Sequence, residues 1–150
     1  MLSARATLLA VLLIPGAFLV GWLAFGGSDG IDTRYPVEGS VLVNGKPLRG
    51  MAGLVMFVPD QTKGNKTPVN AVGEINQQGR YALSTRGKLG APKGWYKAVV
   101  NPVPPGTGDR DAVKRPAIHP RYASEAMSPL QIEVVAEPSG GAYDLKTTKN

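Results

Sequence analysis

The chain of 150 residues contains no cysteine. That excludes disulfides, thiolate metal sites, cysteine nucleophiles and the acylated cysteine of a bacterial lipoprotein, so any membrane anchor must be the peptide itself. It has a single histidine, His119. A His-rich zinc site within one chain is thereby ruled out, and a catalytic triad would depend on this one residue. Aromatic residues make up only 7% of the chain and are not interleaved with the basic ones, which disfavours a nucleic-acid partner. Acidic residues are scarce in one region. Residues 31–100 carry ten Lys/Arg against four Asp/Glu, whereas 101–150 carry six of each.

Glycine and proline are plentiful, at nineteen and thirteen, and they separate short Val/Leu/Ile/Tyr runs. This punctuation predicts many turns and many short strands. The first long feature is different. Residues 6–28 hold no charge, and about twenty helical residues rising about 1.5 Å each would cross a hydrocarbon core of about 30 Å. Arg5 precedes the segment while Asp29 and Asp32 follow it, so what comes after should lie away from the cytoplasm. Pro15-Gly16 and the small residues at 24–26 leave a cleaved signal peptide as the alternative, which would give a secreted or periplasmic product. The favoured reading is a retained anchor with its linker at 1–30 and one extracytoplasmic domain at 31–150.

In the domain the apolar pattern has period two. Strands are expected at 35–43, 53–58, 69–75, 80–84, 94–100, 130–135 and 142–146, with Val37, Val41, Val55, Phe57, Tyr81, Tyr96 and Tyr143 facing inward. Asn44-Gly45 supplies the two positive-φ positions of a tight hairpin turn. Seven short strands at this spacing predict an all-β, seven-stranded antiparallel β-sandwich preceded by one N-terminal hydrophobic helix. Residues 101–129, with six prolines and no periodicity, form a long connection of the kind that often carries binding.

The motif-like patterns carry little chemistry. Gly26-Gly27-Ser28-Asp29-Gly30 has nucleophile-elbow spacing, but it lies in a linker and lacks the strand before and helix after that the elbow needs. Asp109-Arg110-Asp111 offers too few oxygens for calcium, and Asn65-Lys66-Thr67 is followed by Pro68, which weakens it as a glycosylation acceptor. No catalytic residue, cofactor or metal ligand is assigned.

The segments PVEGSVLVNGKPL at 36–48, VMFVP at 55–59, GRYAL at 79–83, GAPKGWYK at 90–97, IHPRY at 118–122 and SPL at 128–130 resemble the carboxypeptidase regulatory-like domains of small bacterial exported proteins. The resemblance implies a transthyretin-like sandwich over about 36–147, in a family with no peptidase residues of its own. The related transthyretin-like hydrolases use several His and Arg residues and a characteristic C-terminal tetrapeptide. With one His and the ending Lys146-Thr147-Thr148-Lys149-Asn150, this chain does not inherit that activity.

The sequence thus reads as a non-catalytic, membrane-anchored accessory or binding module of an envelope assembly. Its partners would be lipid, through the N-terminal segment, and a protein or envelope polymer. The alternative is a carbohydrate or envelope-polymer binder, and a hydrolase ranks below both. If consecutive strands run antiparallel, Lys63, Lys66, Arg86, Lys88 and Lys93 return to the end from which the first strand starts and become candidate membrane-surface contacts. Trp95, Arg110, Arg115, His119 and Arg121 are the candidate partner or glycan contacts.

Overall fold

The computed structural model describes residues 31, 33–103 and 117–149. The hydrophobic segment at 6–28, together with Arg110 and Arg115, lies outside the described residues. Among those described, no helix is long and apolar enough to cross a membrane.

Among the described residues the fold is all-β, in two sheets. Ten strands follow one another there: β1 Glu38–Val43, β2 Lys46–Pro47, β3 Ala52–Pro59, β4 Ala71–Glu74, β5 Arg80–Ala82, β6 Ser84–Thr85, β7 Lys88–Leu89, β8 Gly94–Val103, β9 Gln131–Val134 and β10 Leu145–Thr147. The larger sheet runs β7-β6-β4-β3-β8-β9, and the smaller runs β10-β1-β2 with β5 also paired to β1. Each of the seven expected strands has a counterpart. The other three are two-residue pieces beside tight turns, so the count of seven fails at the hairpins. At the first of these, Asn44 and Gly45 take φ of 49° and 80°, the left-handed pair that closes β1 onto β2.

Period-two alternation places the core as expected. Val37, Val41, Val55, Phe57, Tyr81, Tyr96, Tyr143 and Leu145 are buried in one cluster fed by the inner faces of both sheets. The Phe57 ring lies 5.8 Å from Tyr96 and 6.2 Å from Tyr81, centroid to centroid, in tilted contacts. A phenol buried here needs a partner, and the Tyr81 hydroxyl donates to the Tyr143 carbonyl. Burial, with Asp144 and Tyr143 nearby, pushes the Tyr81 pKa far above the usual tyrosine range.

Two features depart from the expected antiparallel sandwich. β10 runs parallel to β1, with Val41 opposite Leu145 and Val43 opposite Thr147. The extended stretch 80–85 also changes sheets, since Tyr81 pairs with Gly39 in the small sheet while Ser84 pairs with Val72 in the large one. Gly73 permits the crossing, because a Cβ there would sit 2.3 Å from the Ala82 carbonyl oxygen.

Candidate functional site

Strand directions define two ends. β3 and β8 are antiparallel with Pro59 opposite Tyr96 and Ala52 opposite Val103, so the end of β3 and the start of β8 lie together. β4 starts there, β6 runs toward it, and β7 returns from it. β1 is antiparallel to β5, which is continuous in direction with β6, so residues 33–37 also enter at this end. Val43, Val103 and Thr147 point the other way.

The first end is basic. It collects Lys63, Lys66, Arg86, Lys88 and Lys93, all exposed. Its turns are held by short polar side chains. The Asp60 carboxylate accepts from the Thr62 backbone N–H at 3.0 Å and from the Thr62 hydroxyl, capping a 3₁₀ turn at Gln61–Lys63. The Thr62 hydroxyl contact, opposed by burial and aided by the Thr62 N–H, Lys97 and Lys63, holds the Asp60 pKa below its ordinary value. Buried Asn65 donates from Nδ2 to the Trp95 carbonyl at 2.9 Å and accepts from the Thr67 N–H at 3.0 Å. Both ends of its amide are occupied, which removes Asn65-Lys66-Thr67 as an accessible acceptor. Thr85 closes the β6–β7 hairpin by donating to the Gly90 carbonyl at 2.7 Å. With these backbone groups satisfied internally, the basic side chains project from fixed turns.

Lys63 also packs against an aromatic ring. Its ammonium lies 3.8 Å from the centroid of a Trp95 ring and donates to Gln131 Oε1. Trp95 is half-buried, and the indole face that a sugar would stack on carries this lysine. Glu133, opposite Trp95 in the β8–β9 ladder, brings one carboxylate to the same end.

The opposite end holds His119 and Arg121. His119 N–H donates to the Thr148 carbonyl, while its Nδ1 accepts from Arg121 N–H at 3.1 Å and caps a 3₁₀ turn at Pro120–Ala123. The Arg121 guanidinium stacks 4.9 Å over the Tyr122 ring and donates to the Tyr122 hydroxyl at 2.9 Å. Burial pushes the Tyr122 phenol up, but hydrogen bonds from Thr148 and Arg121 and the guanidinium charge outweigh it and set its pKa below the usual range. Trp95 and the His119–Arg121 pair therefore sit at opposite ends and form no common surface.

A third feature escaped the sequence reading. Beside the sheet crossing opens a groove of about 730 Å³, lined in part by Leu54, Val72, Leu89, Glu38, Glu74 and Arg80. The outward phase of Val72 in the 69–75 strand was its one sequence signal. Among the described residues no group of three or more His, Asp or Glu is placed to hold a metal ion.

No protein-family model, curated protein or solved structure matches the chain.

Proposed function

We propose that the protein is a non-catalytic, membrane-tethered accessory module of an envelope assembly, with a transthyretin-like, carboxypeptidase regulatory-like domain held by the segment at 6–28. One observation carries the reading. The five exposed cations Lys63, Lys66, Arg86, Lys88 and Lys93 share the end at which residues 33–37 enter from the N-terminal side. A tether emerging from a bilayer would hold that end against the lipid headgroups and leave the His119–Arg121 end free. Near an anionic surface each Lys or Arg contributes on the order of 1 kcal/mol, less outside the cytoplasmic leaflet and screened by salt within about a Debye length.

Flotation of residues 31–150 with anionic and neutral vesicles tests this. The expected pattern is retention on anionic vesicles, lost in high salt and on charge reversal at Lys66, Arg86, Lys88 and Lys93. Equal flotation with both vesicle types would reduce these residues to ordinary solvated surface.

A further inference from the structure

Exposed leucines and valines scattered singly over a surface need no explanation, whereas several gathered in one depression mark an interaction site. The described residues expose four large hydrophobic side chains, Leu54, Val72, Leu89 and Met127, and the first three line the one groove beside the sheet crossing. Leu89 is 81% exposed in a two-residue strand, on the side away from the hairpin tip, where a polar residue would satisfy the hairpin equally well.

The groove has a definite shape. It follows the seam between β4 and β5, which is pinned at one end by the Asn76 N–H to Arg80 carbonyl bond of 2.9 Å and at the other by the Val72–Ser84 bridge. From pin to pin is about four residue steps of extended chain, or roughly 13 Å at about 3.3 Å per residue. A helix about 10 Å across would ride on the rim of such a seam, while an extended segment can lie along it. The rim adds a charge preference. Glu74 stands on the β4 side and Glu38 on the β1–β5 side, and neither carboxylate has a hydrogen bond or ion pair with any described residue. On a chain of formal charge +6, this is a place where acidic side chains outnumber basic ones, two to the single Arg80.

We infer that the groove docks an extended segment of a partner protein, which places an apolar side chain among Leu54, Val72 and Leu89 and a Lys or Arg beside Glu38 and Glu74. This names the partner surface of the accessory module and rests on that reading. The groove runs along the flank of the domain, from the Asn76–Arg80 turn to the base of the β6–β7 hairpin.

The test is a positional-scanning array of synthetic heptapeptides, probed with the full chain in detergent micelles. Selection of an apolar residue within two positions of Lys or Arg is expected. Binding of the selected peptides should fall at least tenfold with Val72→Ser or Leu89→Ser, and Glu74→Lys should turn the preference from basic to acidic peptides. Because all three side chains are exposed, thermal melting of each variant should match the parent, which separates lost docking from lost folding. An array without a selected motif, or selected peptides that bind the variants as they bind the parent, overturns the inference. So does a concentration-dependent dimer in sedimentation that Leu89→Ser dissolves, since the groove would then hold a second copy of the chain. Failure on the array with intact flotation on anionic vesicles sinks the docking site alone, whereas failure of both sinks the module reading.

Discussion

The two ends of the domain handle positive charge in opposite ways. At the end where 33–37 enter, Asp60, Asn65 and Thr85 satisfy the turns from within, and five exposed cations project from them, with Lys63 lying over Trp95. At the far end Arg121 is folded back onto Tyr122 and Thr148, and a lone histidine serves as a helix-turn cap. Charge held against a phenol is structural; charge projected from a rigid turn is available to something outside. Counting basic residues could not make that distinction, because Lys66 and Arg121 look alike in a sequence.

The comparison breaks first if the ends do not share one core. Phe57, fully buried between Tyr81 and Tyr96, connects them. Phe57→Ala should cost about 3–5 kcal/mol in urea denaturation. Trp95 fluorescence in a Trp22→Phe background, which reports the basic end, and the Tyr122 signal isolated by difference from a Tyr122→Phe chain, which reports the far end, should shift to lower urea together. Separate transitions would mean that the ends fold independently.

Asn65→Ala sharpens the contrast by disturbing one end alone. It leaves the Trp95 carbonyl with the Asp60 N–H alone and strips the Thr67 N–H of its partner, at a cost of about 1–3 kcal/mol. Trp95 emission should change while Tyr122 still ionises below the usual tyrosine range in an alkaline titration. A simultaneous shift of Tyr122 would contradict the separation.

The smallest effect is a pH dependence confined to the basic end. The Asp60 pKa is depressed in the folded chain, so its contribution is present above the unfolded value, about 3.9, and is lost as pH falls through the lower folded value. On acidification below about pH 4, Lys63 should leave Trp95 as its turn loosens. Asp60→Asn should flatten that limb of a Trp95 fluorescence titration. An unchanged acid limb in the variant would assign it to other carboxylates.

Much of this architecture was legible in residue order, because burial of one face of a strand writes itself as alternation. Val55 and Phe57, Tyr81 and Tyr96 announce their direction in that way, and Asn44-Gly45 announces its turn by the positive φ angles that few residue pairs tolerate well. The β6–β7 hairpin was not legible. Its turn is Arg86-Gly87, with Arg86 at φ 50°, a conformation that arginine gives no reason to expect. Nor was the parallel pairing of β10 with β1, since alternation states which face is buried and is silent on strand direction. The basic end was readable through the expectation that neighbouring strands reverse, which holds for the five expected strands that became β1, β3, β4, β5 and β8. The groove was not readable, because it exists only where 80–85 leaves one sheet for the other, and no local pattern marks that departure.

The central claim is that the basic end lies on lipid. Trp95 sits at that end, and Trp22 is the only other tryptophan. The most direct measurement is energy transfer from Trp95 to dansyl-labelled headgroups, using the Trp22→Phe chain reconstituted in vesicles. The account predicts stronger transfer in anionic than in neutral vesicles, brought down to the neutral value by high salt or by charge reversal at Lys66, Arg86, Lys88 and Lys93. Equal transfer in both vesicle types, unchanged by salt and by those substitutions, would contradict it.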